Sequence, residues 1–175
     1  CNRADSVDRV VVTSSMAAIT DEPESDHVLT EDDWNEKSSL DRNPYYFSKK
    51  LAEEEAWTIA EDADWELIVI NPFLVVGPSI SSSLNTSNKT FVDMLNGEYP
   101  VIMGLTWGMV DVRDVAEAHV RALESPDAEG RYICVEHTVT MEAVVELLRD
   151  NGYEDAKLPG IDFSGKIGTL AVKIL

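Results

Sequence analysis

Short continuous apolar runs alternate along this chain with longer stretches in which apolar residues recur every three or four positions. Arg9–Thr13, "RVVVT", is a β-branched run of the kind a strand buried on both faces shows in a parallel sheet, and it ends in the small residues "SSMAA". Residues 21–42 are acidic and polar without a clear period, which predicts a long loop with at most a short turn around Trp34. From Pro44 to Glu61 the period becomes helical. Leu51, Ala52, Glu55, Ala56 and Ile59 mark one face, and Pro44 suits the first turn.

"WELIVINPFLVVG" (65–77) predicts a second buried strand, closed by Asn-Pro and Gly-Pro. "TSNKTFVDMLNG" (86–97) predicts a short helix with Thr86 or Ser87 as N-cap and Gly97 as its stop. "GMVDV" reads as a short strand. "RDVAEAHVRALES" reads as a helix, apolar at Val115, Ala118 and Ala122, with Asp114 near its N-cap. "GRYICVE" (130–136) is a further strand, and "TMEAVVELLRDNG" (140–152) an amphipathic helix capped by Thr140 and stopped by Gly152. A final helix is expected from Ser164 or Gly165. Strands alternating with helices imply an α/β class with a mostly parallel sheet. Such sheets bind ligands outside the carboxyl ends of their strands, which singles out "TSSMAA" and "NPFLVVGPSI".

The 175 residues suffice for a real core, and 44% are apolar. No apolar run reaches the ~20 residues of a membrane span, and the polar start "CNRADSVDR" has no signal-peptide core. Cys1 and Cys134 are too few for a disulfide framework, so a reduced, cytoplasmic setting is expected. With 33 acidic against 14 basic residues the net charge is −19, which disfavours nucleic acid and anionic membranes as partners. His27, His119 and His137 lack partners at metal spacing, so no metal site is expected.

Residues 43–53, "NPYYFSKKLAE", carry the candidate chemistry. A phenol near pKa ~10 is a poor base and a modest acid at neutral pH, and a lysine on the same helix face lowers that pKa. Residues four apart share a face, which admits both Tyr45 with Lys49 and Tyr46 with Lys50. A hydroxyl at the end of the first strand, Ser14 or Ser15, is placed to hold a substrate oxygen that gains or loses a proton.

"RVVVTSSMAAI", "NPYYFSKKLAEEEAW", "INPFLVVGP" and "VDVRDVAEAHVRAL", in that order, resemble the extended short-chain dehydrogenase/reductase superfamily. Within it they are most similar to the group of dihydroflavonol reductases, cinnamoyl-CoA reductases and methylglyoxal reductases. The resemblance runs over almost the whole chain. It implies an NAD(P)-binding Rossmann-like doubly wound parallel sheet, of which residues 1–78 would supply the C-terminal part with the catalytic residues. Residues 79–175 would form a small α/β substrate-binding region, with returning elements, in one compact unit.

The resemblance assigns the catalytic serine to Ser15, and its Y-x-x-S-K motif selects Tyr45 and Lys49. By the same resemblance Tyr45, Lys49, Pro72, Phe73, Leu74 and Ser87 contact the cofactor, which is NADP or NAD with NADP favoured by the subgroup. Ser15, Met16 and Trp107 would contact a small-molecule carbonyl substrate. The implied reaction is NAD(P)H-dependent reduction of an aldehyde or ketone to an alcohol. Tyr45 would donate the proton, Lys49 would lower its pKa and hold the nicotinamide ribose, and Ser15 would bond the carbonyl oxygen.

The family's G-x-x-G-x-x-G turn does not occur here, since the nine glycines all lie at or after Gly77. The resemblance therefore implies a C-terminal fragment that is inactive or very weak by itself, with sheet surface open to self-association. Two other functions remain open: a sugar-nucleotide epimerase or dehydratase on the same fold, and a non-catalytic remnant or binding module.

Overall fold

Arg9–Thr13 forms the first strand, β1, as its β-branched run predicts. The computed structural model describes residues 1–4, 6–23 and 26–163. After β1 come a 3₁₀ turn (Met16–Ala18), α1 (Pro44–Glu61), β2 (Glu66–Pro72), β3 (Leu74–Val76), α2 (Thr86–Asn96), β4 (Val101–Met103) and β5 (Thr106–Asp111). Then follow α3 (Val112–Glu124), β6 (Gly130–Cys134), β7 (His137–Thr140), α4 (Met141–Leu148), a π-helical turn (Arg149–Tyr153) and β8 (Ile161–Phe163). The helix expected from Ser164 or Gly165 lies outside the described residues. Contacts divide the chain into Cys1–Phe73 with Arg113–Cys134, and Leu74–Val112 with the residues from Val135 onward.

The first unit is built on a parallel sheet of order β1-β2-β6, with Val11 beside Ile68 and Val69 beside Arg131. β2 has a neighbour on each side, and Leu67–Pro72 are all buried. β1 was expected to be buried on both faces. Among the described residues it pairs on one side only, and Val10–Val12 are half-buried. Side chains alternate across a strand. Ile68 and Ile70 pack with Ala118 and Ala122 of α3, and Val11 and Cys134 join them. The alternate residues of β2, Leu67, Val69 and Asn71, point to the opposite face, where Asn71 meets Glu53 of α1. Arg9 fastens α3 to the sheet, since its Nη1 donates to the carbonyls of Ala122 at 2.9 Å and Ser125 at 2.5 Å. A cation at a helix C-terminus satisfies open carbonyls and complements the dipole.

In the second unit β5 pairs parallel with β3 and antiparallel with β7, and β4 pairs parallel with β8. Met94, Ile102, Met141, Val144 and Val145 form its core. The run 65–77, expected as one strand, is two. Pro72 has no N–H to extend a ladder, Phe73 N–H bonds the Cys134 carbonyl at 3.2 Å, and Leu74–Val76 pair with β5 instead. α2 is capped by Asn85, whose Oδ1 accepts from Asn88 N–H at 2.7 Å, rather than by Thr86 or Ser87. Gly97 stops it at φ 83°. Thr140 caps α4 as expected, but the α-helix ends at Leu148 and the π turn carries the chain to Gly152, at φ 91°. No helix among the described residues is long and apolar enough to cross a membrane.

Candidate active site

β1 delivers two adjacent hydroxyls to the carboxyl edge of the first unit's sheet, and the fold uses them differently. Ser14 N–H extends the ladder to the Ile70 carbonyl at 2.8 Å, and its Oγ donates to Glu53 Oε2. Ser15 is extended, at φ −162° and ψ 155°, and caps the 3₁₀ turn. Its Oγ accepts from Ala17 N–H at 3.2 Å, which engages an oxygen lone pair and leaves the hydroxyl proton to donate. Met16, half-buried, opens that turn, and the turn packs against α1.

α1 starts at Pro44, whose fixed φ suits the first helical position. Asn43 before it is left-handed at φ 52°, and its Nδ2 donates to Asp21 Oδ1 at 3.0 Å. Tyr45 is 60% exposed. Lys49 stands one turn further on and half-buried, without an ion pair among the described residues. The alternative pair has different surroundings. Tyr46 is half-buried, and burial, then Asp21, then Tyr45 raise its pKa above the usual phenol value. Lys50 Nζ lies 3.6 Å from Glu54 Oε1.

Beneath these groups sits a buried polar network absent from the sequence reading. Glu53, one more turn along α1, is 1% exposed. It accepts from Ser14 Oγ, from Asn71 Nδ2 at 2.7 Å and from Arg131 Nε at 2.6 Å. The donors come from the residue after β1, from the penultimate residue of β2 and from the second residue of β6. Asn71 Nδ2 also donates to the Ser15 carbonyl at 3.2 Å. Arg131 Nη1 donates to the carbonyls of Glu31 and Asp33, and its guanidinium lies 3.9 Å above the Trp34 ring. Thus the long acidic loop is tied down at Trp34. The available signal was the glutamate four residues after Lys49, but its partners are too distant in sequence for periodicity to reveal.

Pro72 and Phe73 lie at the carboxyl end of β2, with Pro72 buried and Phe73 half-buried. The other expected residues belong to the second unit. Leu74 opens β3, and Ser87 is the half-buried second residue of α2. Trp107, on β5, packs against the second unit's core. Ser15, Met16, Pro72 and Phe73 therefore lie at the carboxyl edge of the first unit's sheet, and Tyr45 and Lys49 stand on α1, whose Glu53 bonds Ser14 and Asn71 at that edge.

The family described as NAD dependent epimerase/dehydratase matches residues 1–135. Cinnamoyl-CoA reductase 1 of Arabidopsis thaliana is 40% identical over 149 residues, which cover 81% of this chain and 42% of that protein. Dihydroflavonol 4-reductase of Gerbera hybrida is 32% identical over 171 residues, 93% of this chain and 47% of that protein. The yeast methylglyoxal/isovaleraldehyde reductase Gre2, solved in complex with NADPH, superposes with a TM-score of 0.78 at 31% identity, over 93% of this chain and 55% of that one. The chain spans about half the length of the curated relatives it matches.

Proposed function

Because the chain belongs to the NAD dependent epimerase/dehydratase family, we propose that it carries the proton-transfer half of a carbonyl reductase active site. The observation that supports this most directly is the division of labour in the first unit. Ser15 keeps a hydroxyl proton to donate, and Lys49, one turn from the exposed Tyr45, has no ion pair among the described residues. Such a set at the carboxyl ends of parallel strands suits the nicotinamide end of a dinucleotide.

A nicotinamide held there would supply hydride to the carbonyl carbon. Negative charge then develops on the carbonyl oxygen. Ser15 Oγ–H donates to that oxygen, and Tyr45 transfers its phenolic proton to it as general acid. Lys49 is the proposed donor to the nicotinamide ribose hydroxyls. Pro72 and Phe73 are the proposed cofactor contacts of the first unit. NADPH is the proposed reductant, supported by the complex of the yeast relative. The similarity to cinnamoyl-CoA and dihydroflavonol reductases supports a small-molecule carbonyl substrate.

The test is carbonyl-dependent oxidation of NADPH by the whole protein that contains this chain. Tyr45→Phe should lower kcat by about 100-fold or more while Tyr46→Phe changes it by less than about threefold. The reverse pattern would move the acid to Tyr46 and defeat the assignment.

A further inference from the structure

The proposed chemistry leaves Glu53 without a role, yet its carboxylate is 1% exposed and gathers donors from β2, β6 and the residue after β1. Replacing a buried ion pair with apolar residues of similar volume is often neutral or stabilising. Cohesion alone therefore does not explain a carboxylate here. What it adds over an apolar side chain is direction, because hydrogen bonds fix a helix along its axis where apolar contact lets it slide. Lys49 and Tyr45 stand one and two turns from Glu53, so fixing Glu53 fixes the height of both. The Asn71 amide gives one bond to Glu53 and another to the Ser15 carbonyl, and Ser14 is the covalent neighbour of Ser15. Two routes thus join Glu53 to the Ser15 backbone, and α1 joins it to Tyr45.

We propose that Glu53, acting with Asn71, is a positioning residue that holds the Ser15 and Tyr45 hydroxyls at the separation needed to engage one substrate oxygen. It rests on the reading of Ser15 and Tyr45 given above. A misplacement of about 1 Å can cost on the order of 100-fold in rate, so the bonds need only restrain small shifts.

The experiment compares Glu53→Gln, Ser15→Ala and the double variant in the whole protein, with kcat, KM, the NADPH Kd and the unfolding midpoint measured for each. A glutamine presents an NH2 group toward one of the donors, so at least one bond is lost. Glu53→Gln should lower kcat about 10- to 100-fold and leave the NADPH Kd within about threefold. The double variant should be no slower than Ser15→Ala, since groups acting as a unit are not additive. Full multiplication of the two losses, or a lowered midpoint with unchanged kcat, would make Glu53 a folding residue only and overturn the proposal. If Ser15→Ala and Tyr45→Phe both leave kcat intact, the catalytic reading itself fails, and this inference with it. Should Glu53→Gln not fold, Asn71→Ala carries the same comparison with the same outcomes.

Discussion

The rings of Tyr45 and Tyr46 meet edge to face, with centroids 5.9 Å apart and planes at 75°. They are covalent neighbours in unlike surroundings, since Tyr45 is 60% exposed and Tyr46 is half-buried. Burial, then Asp21, then Tyr45 raise the Tyr46 pKa, so the folded protein holds that proton more firmly than the unfolded chain does. The resulting stability is fully present below the unfolded phenol pKa of ~10 and fades as pH rises through the folded value. Urea midpoints at neutral and strongly alkaline pH should therefore converge in Tyr46→Phe relative to the parent. An undiminished alkaline drop in that variant would remove Tyr46 as its source.

Arg131 is the cation that balances Glu53, with side-chain exposures of 8% and 0%. Arg131→Met strands a buried carboxylate and should cost about 3–5 kcal/mol. Adding Glu53→Leu should recover most of that loss, because the uncompensated charge goes with it. Denaturant unfolding of the two variants measures both effects. A single-variant cost below about 1 kcal/mol would mean that water already solvates the carboxylate.

Gly97 and Gly152 both have positive φ, at 83° and 91°, but different neighbours. A Cβ on Gly97 would lie 2.9 Å from Lys157 Cβ, whereas one on Gly152 meets nothing within 4 Å. Gly152→Ala should lose about 1 kcal/mol from conformation alone, and Gly97→Ala clearly more. Equal losses in thermal unfolding would show that the Lys157 segment yields freely.

Helix α1 was legible because its start rests on Pro44, a local signal, and its middle, Lys49–Ala56, is an unbroken run of strong helix formers. The face it buries was not legible. Leu51 and Ile59, expected together on one apolar face, are each 46% exposed, and the buried residue is Glu53. Its burial depends on Asn71 and Arg131, which no helical period can report. Tyr45 and Lys49 were separable from their neighbours only by motif. Their surroundings add that Tyr46 is half-buried and that Lys50 is paired with Glu54. The strands β4, β7 and β8 escaped notice because each spans only three or four residues and takes its identity from its partner.

Glu53 and Arg131 are 78 residues apart, and Leu74–Val112 of the second unit intervene between them. At a synthesis rate of about 5–20 residues per second, a ribosome delivers the arginine roughly 4–16 s after the glutamate. Through that interval α1 can form as a helix, but docking it would bury a carboxylate with no counter-ion. Seating α1 on the sheet before β6 leaves the ribosome would therefore carry that cost, and the ion pair ties the stability of the docked helix to the arrival of β6.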